Sequence, residues 1–258
     1  MNAFLHTLPW TAAAVVAVLA VTYAVALKAG KHSVIDTAWG LLFGAIAIAA
    51  FVGSAGHGDP LRRVLLLVLP LVWGVRLAVH IGRRTVGAKE DPRYEKLLAR
   101  GRGPFYAVRT VYLLQGVLAY LIAAPIQVGM FETGPVRVLG WVGVAVWAVG
   151  LYFEAVGDRQ LQRFRADPAS RGRLMDRGLW RYTRHPNYFG DACVWWGIFL
   201  VAAERWPGVL TIPAPVLMTF LLTKGSGVRI LEQHMQGRPG WDEYAARTSA
   251  FVPMPPRG

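Results

Sequence analysis

The chain has 258 residues, of which 54% are hydrophobic and only 17% are charged. This composition is too apolar for an ordinary soluble domain, and the length leaves no room for several large domains. The formal net charge of +13 could suggest a nucleic-acid partner. Its distribution along the chain is instead that of a membrane protein, so no nucleic acid is expected as a partner.

Seven stretches are apolar enough to cross a hydrocarbon core of about 30 Å. In chain order they are residues 8–27, 34–52, 64–81, 108–130, 138–157, 188–203 and 207–223. The first lacks a basic leader and is followed by further spans, so it is interpreted as a retained helix and not as a cleaved signal peptide. The sequence therefore predicts an all-α polytopic membrane protein with about seven transmembrane helices in one membrane-embedded domain, residues 1–258.

Basic residues concentrate in alternate loops. The segment 83–102 holds seven Lys/Arg against three Asp/Glu, and the segment 158–184 holds eight against three, while the loops between them carry few charges. Only Arg62 and Arg63 depart from this pattern. By the positive-inside rule, the N-terminus is predicted outside and the C-terminus in the cytoplasm, as in a protein of the bacterial inner membrane.

Polar residues recur at helical spacing near the ends of four spans. An ionisable group at the centre of a span costs roughly 2.5–3.5 kcal/mol, so each needs a partner or a function. The polar residues are Asp36 on the second span, Arg76, His80 and Arg84 on the third, Glu154, Asp158, Gln162 and Arg165 on the fifth, and Asn187 and Asp191 on the sixth. Single pairs could be ion pairs between helices, but the whole set favours a polar cavity open to the cytoplasm.

The segment 178–190, Gly-Leu-Trp-Arg-Tyr-Thr-Arg-His-Pro-Asn-Tyr-Phe-Gly, brings basic and aromatic groups together directly before an apolar run. Arginines suit phosphate, carboxylates suit hydroxyl groups, and aromatic rings suit a planar base. The chain has no Gly-x-Gly-x-x-Gly after a strand and no Walker sequence, so neither common nucleotide-binding loop is predicted. The six His lie apart and Cys193 is the only cysteine, so no metal site is predicted.

Five motifs resemble a known family. They are residues 33–40, 90–94, 153–161, 178–190 and 224–229. Together they are similar to the DUF1295 membrane proteins over nearly the whole chain. Those proteins in turn resemble the C-terminal domain of steroid 5α-reductases and, more distantly, sterol C14-reductases and isoprenylcysteine carboxyl methyltransferases.

The resemblance implies a membrane-bound NADPH-dependent oxidoreductase that reduces a conjugated C=C bond of a lipophilic enone. Residues 1–131 would form the substrate side and residues 138–258 the cofactor side. The cofactor-binding residues implied by position are Asp158, Arg165, Asn187, Asp191 and Arg229, with Glu154 where the reductases have Asn. The segment 178–190 adds Arg181, Tyr182, Arg184, His185 and Tyr188 to the predicted cofactor site.

The substrate side departs from the steroid reductases. Their Gln-Glu pair on the second helix is replaced here by Asp36 and Trp39, and Ile81 stands where a Tyr is expected. A hydrogen-bond donor must stabilise the enolate that forms during conjugate reduction. The candidates are Asp36, His80 and Tyr94, although His80 could equally be a structural partner of a carbonyl or of Asp36. Trp39 is predicted to line the apolar substrate channel.

Two other functions remain open from the sequence. An S-adenosylmethionine-dependent methyltransferase of the isoprenylcysteine type would share the Arg184-His-Pro sequence and an acidic tail helix containing Glu232. A transporter or lipid-binding scaffold would also explain charges within the membrane, but it predicts repeat symmetry that the chain lacks. A lipophilic substrate and membrane lipid are the expected partners, and the arginine surplus favours NADPH over NADH.

Overall fold

The computed structural model describes residues 2–101, 103–225 and 227–257. The α-helices are α1 (Asn2–Ala29), α2 (Val34–Gly53), α3 (Pro60–Thr85), α4 (Pro92–Leu98), α5 (Pro104–Ala107), α6 (Leu114–Ile122), α7 (Ala124–Gly129), α8 (Val138–Ala166), α9 (Pro186–Ala203), α10 (Pro213–Phe220), α11 (Val228–Met235) and α12 (Trp241–Arg247). These described residues contain no strand, only one isolated bridge between Thr183 and Ser249. The prediction of an all-α polytopic membrane protein is confirmed.

Six helices in the described part of the chain are long and apolar enough to cross a membrane. They are Ala3–Ala29, Val34–Gly53, Pro60–Thr85, Pro104–Ile122, Val138–Ala166 and Gly208–Met235. The remaining predicted span, residues 188–203, forms α9, which has 18 residues. Its first two turns contain Asn187 and Asp191, and these polar residues lower its apolarity.

Two predicted spans are interrupted. In residues 108–130 a π-helix (Val108–Leu113) leads into α6, which ends at Ile122 before α7 begins. Pro125 lies in the first turn of α7, and because proline has no amide hydrogen, α6 cannot continue regularly through it. A second π-helix (Leu221–Gly225) follows α10. Such π-helical turns occur frequently at functional sites.

The chain divides into two compact units. The first comprises Met1–Trp141 and Ile198–Ala214, and the second comprises Val142–Gly197 and Pro215–Gly258. Each unit is described by itself below.

In the first unit, α2 packs against α1 and α3. A Cβ atom added to Gly40 of α2 would lie 2.5 Å from the carbonyl oxygen of Gly74 in α3, so the two backbones touch. This close approach is typical of small residues between transmembrane helices. Phe43 and Trp73 are fully buried beside it, with ring centroids 5.6 Å apart.

One of the two exceptions in the charge pattern, Arg62, has a structural explanation. Its guanidinium is completely buried in the first unit and bonds Glu132 at 3.3 Å and Glu204 at 2.8 Å. It also donates to three backbone carbonyls, those of Val201, Gly134 and Pro135. The Glu204 carboxylate in turn accepts from the backbone amides of Arg137 and Gly140 at the start of α8. The charge of Arg62 is therefore neutralised within the fold and does not contradict the predicted topology.

Glu132 should make the stability of the first unit depend on pH. Burial raises its pKa from 4.5 to about 7, although the Arg62 guanidinium and the Gly208 amide oppose the rise, while the charge of Glu204 adds to it. Because the folded-state pKa is the higher one, the contribution to stability is fully present below pH 4.5 and is lost as pH rises through about 7. We expect the free energy of unfolding to fall by on the order of 3 kcal/mol across this interval.

The measurement is the midpoint of thermal unfolding in detergent between pH 5 and pH 8. Glu132→Gln should flatten the profile relative to the wild type, whereas Glu95→Gln, at an exposed position of α4, should leave it unchanged. Equal profiles for wild type and Glu132→Gln would show that Glu132 does not titrate in this range.

In the second unit, α8 and α9 cross at glycines. A Cβ on Gly150 would lie 2.5 Å from the Gly190 carbonyl oxygen, and one on Gly190 would lie 2.5 Å from the Gly150 carbonyl oxygen. One on Gly197 would lie 2.6 Å from the carbonyl oxygen of Gly143. Pairing Gly150 with Gly190 and Gly143 with Gly197 means that the two helices are antiparallel and in backbone contact over two turns.

The C-terminal tail of the second unit folds against the segment before α9. The Thr183 hydroxyl donates to the Phe251 carbonyl at 2.8 Å, and the Tyr244 hydroxyl donates to the Trp180 carbonyl at 2.6 Å. Residues 236–240 separate α11 from α12. The motif 178–190 is therefore fixed in place by the last part of the chain.

Candidate functional site

A chain of hydrogen bonds lies at the N-terminal end of α2 in the first unit. The Tyr94 hydroxyl donates to Asp36 Oδ1 at 2.5 Å, and Arg93 Nη2 donates to Asp36 Oδ2 at 2.9 Å. Gln115 Nε2 of α6 lies 3.1 Å from the Tyr94 oxygen. Tyr94 is buried, whereas the Asp36 side chain is 26% exposed. Two of the three predicted catalytic residues, Asp36 and Tyr94, are thus in direct contact.

The motif 90–94 builds this arrangement residue by residue. The Glu90 carboxylate accepts the backbone amides of His32 and Ser33 immediately before α2, which satisfies donors that a helix start leaves unpaired. The Asp91 side chain caps α4 by accepting from the Arg93 amide at 2.8 Å. The motif therefore caps two helices and places Arg93 and Tyr94 against Asp36.

Local electrostatics keep Tyr94 neutral. Burial raises the pKa of its phenol, and the negative charge of Asp36 raises it further. For Glu90, burial alone would raise the pKa, but the amides of His32 and Ser33 that bond the carboxylate lower it below its usual value. At neutral pH the site therefore contains a protonated phenol beside an ionised capping carboxylate.

Trp39 begins a series of aromatic rings along α2. Its ring centroid lies 5.2 Å from that of Phe43, which in turn contacts Trp73. Trp39 is half-buried and one helical turn from Asp36, so the polar group borders the buried aromatic core of this unit. His80 lies half-buried on α3 and has at least one partner within the protein.

In the second unit, α8 and α9 contribute buried acidic groups. Glu154, Asp158 and Asp191 are each at most 9% exposed. Asn187 Nδ2 donates to Asp158 Oδ1 at 3.3 Å, which connects the two helices. Each of the three acidic residues has at least one further interaction within the protein.

Arg184 is occupied within the fold. Its Nη2 lies 2.7 Å from Glu232 Oε1, and its Nη1 donates to the carbonyls of Ala245 and Thr248 at 2.8 and 2.5 Å. His185 Nε2 lies 3.3 Å from the same Glu232 oxygen, and the His185 ring stacks on Tyr188. Arg184 and His185 thus hold the C-terminal tail. Their shared partner, Glu232, is not among the residues predicted for the cofactor site.

Other basic residues of the predicted cofactor site point outward. Arg165, Arg181 and Arg229 are exposed, as is Tyr182. Among the residues that the structure describes, Arg181 and Arg229 form neither a hydrogen bond nor an ion pair. They are the arginines of the site whose donors are available to an anionic ligand.

We predict that Arg184→Ala loosens the C-terminal tail. The substitution removes an ion pair and two hydrogen bonds to backbone carbonyls, each charge-assisted bond contributing roughly 1.5–3 kcal/mol. Tryptic cleavage after Arg238 and Arg247 should accelerate by about tenfold or more. Arg229→Ala, at an exposed and unbonded position of α11, is the control; equal cleavage of both variants would contradict this role of Arg184.

Two residues of the first-unit site, Arg93 and Gln115, were not predicted. Arg93 belongs to the motif 90–94, but in the sequence its charge cannot be distinguished from those of the other basic residues in the segment 83–102. Gln115 is a polar residue inside an apolar stretch, the kind of signal that should have drawn attention to it. No group of three or more His, Cys, Asp or Glu able to hold a metal ion occurs within the described ranges.

Comparison with known proteins identifies the family. The model of the family described as "Protein of unknown function (DUF1295)" matches residues 22–248. The chain belongs to the DUF1295 family. This DUF1295 protein is also 24% identical over 211 residues to the uncharacterised protein C594.04c of Schizosaccharomyces pombe, covering 71% of the present chain but only 61% of the yeast protein. No solved structure matches.

Proposed function

We propose that this DUF1295 protein is a membrane-bound reductase that uses NADPH to reduce a conjugated C=C bond of a lipophilic enone. The observation that carries the proposal is the contact between Tyr94 and Asp36, one helical turn from the half-buried ring of Trp39. A neutral phenol fixed beside a carboxylate is suited to bind a carbonyl oxygen. The resemblance to steroid 5α-reductases supports the same reaction class.

The substrate would lie with its apolar body on Trp39 and its carbonyl oxygen toward the Asp36–Tyr94 pair. As the β-carbon is reduced, negative charge accumulates on that oxygen, and a hydrogen bond donated to it lowers the barrier. Of the three candidate donors Asp36, His80 and Tyr94, the role is proposed first for Tyr94, with Asp36 as its hydrogen-bond partner.

The second unit would hold the cofactor, which when bound supplies the hydride. Its groups match the chemistry of NADPH. The exposed guanidinium groups of Arg165, Arg181 and Arg229 suit the phosphates. Asp158 and Asn187 offer an acceptor and an amide for hydroxyl or carboxamide groups, and the Tyr188 ring offers a stacking surface.

The methyltransferase alternative is less well supported. It relies on an acidic tail helix, and the Glu232 carboxylate is already bonded by Arg184 and faces His185. A cationic cofactor would also gain nothing from exposed arginines. Methyl transfer from S-adenosylmethionine is therefore the outcome that would favour this alternative.

The proposed setting is a bacterial inner membrane with the site facing the cytoplasm. The basic loops 83–102 and 158–184 support this orientation through the positive-inside rule. The substrate would then enter from the lipid phase and NADPH from the aqueous side.

The test is NADPH oxidation by the purified protein in detergent with 4-cholesten-3-one and with an acyclic isoprenoid enone. Loss of one donor to a developing oxyanion typically costs about 10²–10³-fold in rate, so Tyr94→Phe should reduce the rate by about that factor. Tyr106→Phe is the matched control, because its hydroxyl donates only to the Leu97 carbonyl at 3.4 Å. Full activity in Tyr94→Phe, or methyl transfer from S-adenosylmethionine without NADPH oxidation, would contradict the proposal.

A further inference from the structure

The contacts of Asp36 define its part in the hydrogen-bond cluster. Each of its two carboxylate oxygens faces a donor: Oδ1 faces the Tyr94 hydroxyl and Oδ2 faces the Arg93 guanidinium. The Arg93 guanidinium can only donate, and the Tyr94 hydroxyl donates to Oδ1, so both Asp36 oxygens act as acceptors. Asp36 is therefore the acceptor of the cluster, with the Arg93 guanidinium as its cationic partner.

The direction of the next hydrogen bond follows from this one. A phenol has a single proton, and in Tyr94 that proton is directed to Asp36. The group of Gln115 that lies 3.1 Å from the Tyr94 oxygen must then be its amide nitrogen, which donates. The hydrogen bonds run from Gln115 to Tyr94 to Asp36, with Arg93 donating to Asp36 from the other side.

We propose that Gln115 is a positioning residue that fixes the Tyr94 oxygen, so that Tyr94 is the group that donates a hydrogen bond to the substrate carbonyl. This inference rests on the proposed reductase function. When negative charge develops on the substrate oxygen, the phenol hydrogen turns from Asp36 toward it by rotation about the C–O bond. Gln115 continues to hold the phenol oxygen, and Arg93 continues to neutralise Asp36, so no other group has to move.

The place of Gln115 in the chain supports this role. It lies in the first turn of α6, directly after the π-helix Val108–Leu113, and its contact with Tyr94 is its one hydrogen bond among the described residues. A polar side chain in an apolar span is costly without a function. A π-helical turn contains one residue more than an α-helical turn. This extra residue shifts the helical register at Gln115, which follows it.

The experiment needs neither cofactor nor substrate. 2,3,5-Trifluorotyrosine, whose ring fluorines lower the phenol pKa by several units and so bring the titration into an accessible pH range, is placed at position 94, and the phenol is titrated by ¹⁹F NMR in detergent. Burial and the charge of Asp36 raise the pKa of Tyr94, whereas the Gln115 hydrogen bond lowers it. Gln115→Leu should therefore raise the phenol pKa by about one unit and move the ¹⁹F resonance.

A matched control is available in the same unit. Gln127 is a buried glutamine that accepts from Thr11 at 2.8 Å and donates to the Tyr120 carbonyl. Gln127→Leu should lower stability yet leave the Tyr94 titration unchanged, because it does not touch Tyr94. A purely structural effect of removing a glutamine would appear equally in both variants.

A second variant keeps the test decisive if Gln115→Leu does not fold. Asp36→Asn removes the charge that opposes ionisation of the phenol and should lower the Tyr94 pKa. An unchanged pKa in Gln115→Leu, or in Asp36→Asn, would overturn the inferred chain. Once an enone is known, Gln115→Leu should reduce kcat more than it raises KM. If the pKa changes confirm these hydrogen bonds but no NADPH is oxidised, the reductase function is refuted, while the hydrogen-bond directions stand.

Discussion

Arg62→Ala is expected to lower the free energy of unfolding by about 3–5 kcal/mol, the usual cost of removing one partner from a buried charge cluster. The guanidinium has no exposure to solvent and connects Glu132 with Glu204. Loss of the guanidinium would leave the carboxylates of Glu132 and Glu204 without their cationic partner. It would also leave three backbone carbonyls without the donor that Arg62 supplies. Chemical or thermal unfolding in detergent, compared with the wild type, measures the effect.

Arg205→Ala is the control, because Arg205 follows Glu204 directly and is an exposed arginine, so its removal should change stability by less than about 1 kcal/mol. A further variant combines Arg62→Met with Glu132→Gln and Glu204→Gln. Since it removes all three charges together, it should recover much of the stability lost in Arg62→Ala. Equal stabilities of Arg62→Ala and Arg205→Ala would contradict the account of this cluster.

Gly190→Ala should strongly destabilise the contact between α8 and α9 in the second unit. The new Cβ would lie 2.5 Å from the Gly150 carbonyl oxygen and 2.6 Å from the Glu154 amide nitrogen. These are backbone atoms that cannot rotate away, so α8 and α9 must separate. We expect a loss of roughly 1–3 kcal/mol, the range for overpacking a close contact, measured as a lower unfolding midpoint.

Gly150→Ala should behave in the same way, and the double variant should cost less than the sum of the two. Both substitutions force apart the same contact, so their effects are coupled. Gly82→Ala in α3 is the control, because its nearest neighbour would be the Thr37 methyl group at 3.3 Å. Additive losses in the double variant would show that the two glycines do not share one contact.

The long helices could be predicted from the sequence, whereas the points at which they are interrupted could not. Apolar runs of about 20 residues predict helices because backbone groups in lipid must bond within their own segment. The same signal cannot locate the break at Ala123 or the π-helix before Gln115, since both depend on local geometry within a continuously apolar stretch. α9 is not among the six apolar helices because it contains Asp191, which lies within the predicted span 188–203, and begins two residues earlier, so that it also includes Asn187.

The sequence indicates which residues belong to the candidate site, but not which of them contact one another. Asp36 and Tyr94 were both selected from motifs, yet only the fold shows that Tyr94 bonds Asp36 from 58 residues away. Arg184 illustrates the opposite outcome. Its motif suggested an available guanidinium, but Glu232, 48 residues later, bonds its Nε. Sequence spacing carries no information about such long-range pairs.

The most direct test of the reductase proposal is cofactor binding by the purified protein in detergent. Thermal unfolding is followed with NADPH, NADH and S-adenosylmethionine side by side, in the wild type and in Arg181→Ala/Arg229→Ala, with Arg100→Ala as an exposed-arginine control. A ligand at 100 times its Kd adds about 2.7 kcal/mol of stability. The proposal predicts a rise in the midpoint with NADPH that the double variant loses and the control keeps. Stabilisation by S-adenosylmethionine alone, or by none of the three, would contradict it.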